Sequence, residues 1–168
     1  MSSPELKLAF TTLPAPLPIR RGVTDAEDWL AAALSVAENG GRLVSLWGAD
    51  RGAAGFAICA AYALAEGLVW LELPLADAQN RYPDLAGIFP YANRMQRATA
   101  DLLGIRAEGA EDERPWFNHG AWPADHHPLR GDASGAADFA EREVADYPFL
   151  RVEGDGVHEI PVGPVHAG

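Results

Sequence analysis

The stretch RLVSLWGADRGAAGFAICAAYALAEGLVWLELPL, residues 42–75, decides the fold. It holds three apolar runs, Arg42–Trp47, Gly55–Leu64 and Leu68–Leu75. Two clusters of turn formers separate them, Gly48-Ala49-Asp50-Arg51-Gly52 and Ala65-Glu66-Gly67. Short apolar runs bounded by glycine and acidic residues predict strands joined by tight connections, and hence a largely antiparallel sheet. Ala60–Ala65 reads both ways, since alanine favours helix while the flanking turn signals favour a hairpin. Gly55–Leu75 is also the longest apolar stretch, but Glu66, Gly67 and Glu72 interrupt it, so direct membrane insertion is not expected.

On the N-terminal side, Leu6, Leu8 and Phe10 alternate with Lys7 and Ala9 and predict a strand. Pro14, Pro16 and Pro18 then forbid a helix and mark a connection running to residue 22. Thr24-Asp25-Ala26-Glu27 has the spacing of a capping box, with Thr24 accepting from the amide of Glu27. The helix it opens sets Trp29, Ala33 and Val36 near one face, with Leu30, Leu34 and Ala37 beside them, and stops at Asn39-Gly40-Gly41. On the C-terminal side, Asp77–Phe89 reads as a loop or extended connection. A second helix follows from Pro90 to Leu103, with proline at its favoured first position and Gly104 at its end.

Asp112–Asp132 is dense in Trp, His and Pro without periodicity and reads as an ordered irregular segment. Ala136–Ala145 is expected to be a short helix. Phe149–Val152 and Val157–Val162 are expected to form a hairpin around Glu153-Gly154-Asp155-Gly156. The pattern as a whole predicts an α+β class: a single mixed, largely antiparallel sheet with helices packed on one face, a long irregular loop region and a C-terminal hairpin.

Charge and cysteine content exclude several functions. A formal net charge of −11 argues against nucleic acid, whose phosphates need clustered Lys and Arg, and against an anionic membrane surface. Cys59 is the single cysteine, so neither an internal disulfide nor a Cys-built zinc or iron–sulfur site can form within the chain. A reducing, cytoplasmic compartment fits that usage. No basic flank precedes an apolar run at the N-terminus, so no signal peptide is expected. Gly48–Gly55 lies between two strands and lacks the lysine of a phosphate-binding loop.

Two segments carry more specific information. The first runs from Tyr82-Pro83-Asp84-Leu85 through Phe89-Pro90-Tyr91-Ala92-Asn93-Arg94-Met95-Gln96-Arg97-Ala98-Thr99-Ala100-Asp101-Leu102-Leu103-Gly104-Ile105. It continues over Glu108-Gly109, Asp112, Arg114, Trp122-Pro123 and Pro128-Leu129-Arg130 to Asp132. This resembles the signature region of the C subunit of NADH:quinone oxidoreductase. It is more similar still to the matching N-terminal domain of formate-hydrogenlyase-type hydrogenase large subunits. In that family a helix with a Glu-Arg-Glu…Asp-Leu-Phe-Gly pattern leads to a loop ending Pro-Leu-Arg-Lys-Asp. Here Arg97, Asp101 and Gly104 match, whereas Gln96 and Ala98 replace glutamates and Gly131 replaces the lysine. The second segment, Gly156–Gly168, resembles the opening of the hydrogenase large subunit itself, a hairpin followed by a Gly-Pro-x-His turn that contains His166.

The resemblance implies a C-subunit-like domain over residues 1–148 and the start of a large-subunit domain over 149–168, so that the chain is a domain or fragment of a longer protein. It implies a structural and assembly role, without a cofactor in this chain, inside a complex carrying nickel–iron and iron–sulfur centres or a quinone site. The expected partners are the hydrogenase or dehydrogenase large subunit and the iron–sulfur subunit. The expected location is cytoplasmic, peripheral to the inner membrane. Arg97, Asp101, Gly104, Arg114, Trp122, Pro128, Leu129 and Arg130 are the expected interface and structural residues. His166 is a residue of the large-subunit turn, and no catalytic, cofactor or metal residue is assigned.

Arg97 and Asp101 stand four residues apart on one helical face. They form either an exposed ion pair worth a fraction of a kcal/mol or, as the resemblance favours, a lock between the helix and the Arg114–Asp132 loop. His119, His126 and His127 near Asp125 make up the best metal candidate. Adjacent histidines on an extended segment point to opposite sides, however, which works against convergence. His158 and Glu159 alternate faces of the hairpin and make a poor acid–base pair. Trp116, Phe117 and Trp122 either cover the core or anchor a partner. Cys59 reads as a small buried residue. The competing reading is a self-contained small-molecule or metal-binding enzyme domain that uses the His119–His127 loop.

Overall fold

A computed structural model of the chain describes residues 8–75, 80–133, 154–158 and 160. The elements are β1 (Phe10–Leu13), β2 (Ile19–Val23), α1 (Ala26–Glu38), β3 (Arg42–Asp50), β4 (Phe56–Leu64), β5 (Gly67–Leu75), β6 (Arg81–Pro83), α2 (Ala92–Leu103) and β7 (Arg106–Glu108). The main sheet has the order β1-β2-β5-β4-β3. Its neighbours run antiparallel except β2 and β5, which are parallel. It is therefore mixed and largely antiparallel, as the sequence predicts.

The three decisive runs form β3, β4 and β5, and the ambiguous alanines of Ala60–Ala65 fall in β4 up to Leu64. Tertiary pairing on both sides of β4 overrides the helical preference of alanine. Period-two alternation sorts the side chains. Ile58, Ala60 and Tyr62 of β4 and Val69, Leu71, Leu73 and Leu75 of β5 join one core cluster with Trp29, Ala33 and Val36 of α1 and Leu103 at the end of α2. Both helices thus pack against the same sheet face. Trp29 lies fully buried there, with its ring edge-on to Tyr82 at 6.2 Å between centroids.

The alternate residues face the other side. Trp47 and Trp70 meet at 5.7 Å, and Cys59 is fully buried. Burial pushes the Cys59 thiol pKa up, which removes thiolate reactivity. Glu72 on this face accepts from Arg21 and Arg51, both at 2.7 Å, so its nearly buried carboxylate has two cationic partners.

Five sequence expectations need correction. β2 lies where a proline connection was expected to run to residue 22. The prolines occupy only the link between β1 and β2, and the β2 backbone is claimed by β5 in the register Ile19↔Leu68 to Val23↔Glu72. The expected capping box does not form, because the Thr24 amide donates to the Glu72 carbonyl at 2.9 Å and holds Thr24 in the ladder. Asp25 caps α1 instead, accepting from the Asp28 amide at 2.9 Å. Pro90 lies outside α2, whose N-cap is Tyr91. The 77–89 connection contains β6, which pairs with β7 as a small parallel pair beside the main sheet. Leu34 is also exposed, not packed beside Trp29.

The predicted helix over 136–145, the hairpin strands 149–152 and 157–162, the division at 148/149 and His166 lie wholly or mostly outside the described residues. The turn between those hairpin segments is described, with the Val157 amide donating to the Gly154 carbonyl at 3.2 Å.

The seating of α2 on the sheet positions the candidate site. β3 is a sheet edge, and its outward amides would otherwise offer a template for another strand. The Leu43 amide donates to the Tyr91 hydroxyl at 3.1 Å and the Leu46 amide to the Met95 sulfur at 3.2 Å, so α2 closes this part of the edge. A bulge between Leu43 and Ser45 turns Val44 outward. At Gly48 a Cβ would stand 2.6 Å from Leu103 Cδ1 and 2.8 Å from Ile105 Cδ1, so glycine lets the end of α2 seat on β3. Gly48→Val is expected to lower the unfolding free energy by about 2 kcal/mol through overpacking. Urea denaturation reads this, and an unchanged midpoint would contradict the packing described.

Candidate functional site

The seam between α2 and the irregular segment 110–131 brings most of the expected site residues together. The inward stripe of α2 is Ala92, Gln96, Thr99 and Leu103, at helical spacing. Arg97 and Asp101 lie off that stripe and reach the segment that returns past the helix. The Arg97 Nε–H donates to the Arg114 carbonyl at 2.6 Å. Its other nitrogens donate to the Pro115 carbonyl at 3.0 Å, Asp112 Oδ2 at 3.1 Å and Asn93 Oδ1 at 3.3 Å. One Asp101 oxygen accepts from the backbone amides of Trp116, Phe117 and Asn118 at 2.7, 2.6 and 3.1 Å. Three consecutive amides turned toward one carboxylate form an anion cradle filled by the chain's own side chain. Asn118 carries the order onward, since its Oδ1 accepts from the Gly120 and Trp122 amides and its Nδ2 donates to the Trp122 carbonyl at 2.9 Å.

The end of the helix meets the end of the segment. His127 Nδ1 lies 3.1 Å from the Asp101 carbonyl, the Leu129 amide donates to the Leu102 carbonyl at 3.0 Å, and the Arg130 Nε–H donates to the Leu103 carbonyl at 2.8 Å. A carbonyl only accepts, so His127 must carry its proton on Nδ1 to make that bond. Gly104 has φ +69°, and a Cβ there would collide with the His127 ring and the Arg130 guanidinium. Glycine is needed both for the left-handed turn and for the approach of the segment. The Arg130 guanidinium also lies 5.0 Å over the Phe56 ring. The next amide, Gly131, donates to Asp50 Oδ2 at 2.7 Å and ties the segment to the end of β3. That bond, followed by one from the Gly52 amide, holds the Asp50 carboxyl below its usual range.

Sequence reasoning missed four of these contributors. Gln96, noted only as a departure from glutamate, is buried. Its Oε1 accepts from the Leu85 amide at 2.9 Å, and its Nε2 donates to Asp84 Oδ1 at 2.7 Å. A carboxylate at 96 would face that of Asp84, so the amide is the group that fits. Asp84, Asp50 and Tyr91 act through partners distant in sequence that no local pattern announces. Gln96 had a usable signal, because it falls on the inward stripe of α2 between Ala92 and Leu103.

Two clefts border the seam. One of about 130 Å³ is lined by Arg97, Asp101, Arg106, Asp112, Asn118 and His127 among others. Ligand pockets usually span roughly 300–1,000 Å³, and here Arg97, Asp101, Asp112, Asn118 and His127 are already bonded within the seam. A wider one of about 830 Å³ opens between the start of α2 and residues 114–119. The metal candidate gains no geometric support. His127 turns to the helix end, the His126 amide closes a turn on the Pro123 carbonyl at 3.0 Å, and Asp125 is exposed. Among the described residues, no group of three or more His, Cys, Asp or Glu is placed to hold a metal ion. His158 is exposed, and Glu159 lies outside the described residues.

Asp112 supplies the titratable part of the seam. The Arg114 side chain and amide, with Arg97 behind them, hold the Asp112 carboxyl well below the usual carboxylate range. A depressed folded-state pKa means stability that is present above the unfolded value of about 3.9 and lost as pH falls toward the folded one. The melting temperature of the wild type is therefore expected to exceed that of Asp112→Asn most clearly at neutral pH. The gap should narrow below about pH 4. A gap that stays constant from neutral to acid pH would contradict the assignment.

Comparison with known proteins adds three likenesses. Hydrogenase-4 component G of Escherichia coli (strain K12) is 34% identical over 98 residues, which is 55% of this chain but 17% of that protein. Membrane-bound hydrogenase subunit beta of Pyrococcus furiosus is 32% identical over 68 residues, 40% of this chain and 39% of that one. The chain thus spans well under half the length of these relatives. A chain in the structure of the membrane-bound sulfane sulfur reductase, an archaeal respiratory membrane complex, superposes with a TM-score of 0.62 at 14% identity, covering 84% of this chain and 91% of that one. This last likeness is one of fold. No described helix is long and apolar enough to cross a membrane. The family described as respiratory-chain NADH dehydrogenase, 30 Kd subunit, matches residues 23–137, a span that includes the whole α2 seam, and the chain belongs to that family.

Proposed function

We propose that this chain is a non-catalytic, positional part of a membrane-associated electron-transfer complex of the hydrogenase or NADH:quinone oxidoreductase type. In this reading residues 1–148 form the supporting domain and 149–168 begin the large-subunit domain, with His166 in its first turn. The domain braces the large subunit, which carries the nickel–iron or quinone site, and the neighbouring iron–sulfur subunit. It works at the cytoplasmic side, peripheral to the membrane.

The observation that carries this reading is the commitment of the seam's polar groups to backbone. Arg97, Asp101 and Arg130 are bonded to carbonyls and amides of the chain itself, which stiffens an exposed irregular surface. A surface ordered beforehand loses less freedom when it docks. The redox groups do not fit this chain, because an iron–sulfur cluster takes several thiolates and the single cysteine, Cys59, is fully buried. Those groups belong to the large-subunit domain and the iron–sulfur subunit, outside residues 1–148. The domain's contribution to electron transfer is to keep their carriers at fixed distances.

The test is purification of the tagged full-length gene product from membranes of its own host. Mass spectrometry is expected to find large-subunit sequence continuing the same product past residue 168 and the iron–sulfur subunit co-purifying with it, and the purified domain alone is expected to show neither hydrogen uptake nor NADH oxidation. Turnover by the isolated domain would overturn the reading in favour of a self-contained enzyme built on the His119–His127 loop.

A further inference from the structure

We propose that the cleft between the first turn of α2 and residues 114–119 receives an acidic segment of a partner subunit, one of whose carboxylates seats on Arg94. This rests on the assembly role proposed above and names its contact surface.

Charge around the cleft is unbalanced. Ion pairs among the described residues use Arg21, Arg51, Arg97 and Arg114. Arg94 is exposed, and its guanidinium lies 5.2 Å over the Trp116 ring. A single carboxylate, Asp112, is shared by Arg97 and Arg114, so the three arginines that line the cleft outnumber the acid paired with them. Among the described residues, Arg94 therefore gives the cleft a cation with no carboxylate partner, beside an indole, on a chain whose formal net charge is −11. A guanidinium with a free edge suits a bidentate carboxylate. The acidic remainder of the surface repels the same segment, so the charge sets its register.

The walls of the cleft suit a protein segment. Exposed Tyr91 and half-buried Trp116 line it, and exposed Phe117 stands beside Trp116 at 6.5 Å. Tyrosine, tryptophan and arginine are the residues that dominate binding energy at protein interfaces. These side chains are also held in place. The Tyr91 hydroxyl is fixed by the Leu43 amide, the Trp116 and Phe117 backbone by Asp101, and the Trp116 ring also lies 5.2 Å from the Arg97 guanidinium. At about 830 Å³ the cleft has room for several side chains. That size fits a peptide segment better than a small anion.

The test uses a property of the sequence, in which Lys7 is the only lysine. Carbodiimide joins an amine directly to a carboxylate in contact with it, so Arg94→Lys gives these residues a second lysine, and peptides of the complex purified from its host report what position 94 touches. The expected product is a cross-link from position 94 to an Asp or Glu of another subunit. Arg94→Glu is expected to lower recovery of the other subunits about tenfold at equal levels of this chain. Cross-links from position 94 confined to this chain's own carboxylates, or wild-type recovery with Arg94→Glu, would overturn the inference and leave the assembly role standing. A wild-type chain that leaves the membranes without other subunits would overturn both.

Discussion

The last turn of α2 presents the carbonyls of Asp101, Leu102 and Leu103 to His127, Leu129 and Arg130, and the order of the whole 110–131 segment depends on that contact. A helix ends with carbonyls that have no intrahelical donor. Leaving them unpaired in a part-buried setting costs free energy, and so does fixing a loop without regular structure. Here the two costs offset each other, because the loop supplies the missing donors and the helix supplies the template. Asp101 adds a second fixed point by collecting the amides of Trp116, Phe117 and Asn118. Arg97, one turn back, adds a third through the carbonyls of Arg114 and Pro115.

This arrangement requires α2 itself to be immobile, and the sheet sees to that. Tyr91 and Met95 receive edge amides of β3, Gly48 admits Leu103 and Ile105, and Gln96 binds the chain at Asp84 and Leu85. The Gly131 amide on Asp50 closes the circuit back to β3. From sheet to helix to loop, each link is a polar group paired across a long sequence separation or an apolar group buried between elements. The surface presented outward, with Arg94, Tyr91 and Phe117 exposed, is therefore rigid although it has little regular structure.

Much of this was legible in the sequence, and the failures have physical causes. Strands β3, β4 and β5 follow from apolar runs between turn formers. The end of α2 follows from Gly104, and the irregular segment from its lack of periodicity. β2 was missed because a parallel partner far along the chain stabilises it, whereas its own sequence, Ile19-Arg20-Arg21-Gly22-Val23, alternates poorly. The capping box failed to form because pairing of the Thr24 amide with Glu72 outweighed a local motif. The identity of the helix-to-loop contacts came from resemblance, since Arg97 and Asp101 at four-residue spacing fit an ordinary surface ion pair equally well. In the structure both turn to backbone groups of the loop, 15 to 18 residues further on. No local spacing encodes that choice.

The helix end and Asp101 hold the loop in one conformation. Hydrogen–deuterium exchange on the purified chain tests this most directly. The amides of Trp116, Phe117, Asn118 and Leu129 are expected to exchange slowly, in step with those of α2. Asp101→Asn is expected to speed exchange at 116–118 by about tenfold or more, the factor carried by one hydrogen bond to a charged group. Exchange of these amides at the rate of an unstructured chain in the wild type, or rates indifferent to Asp101→Asn, would contradict the account.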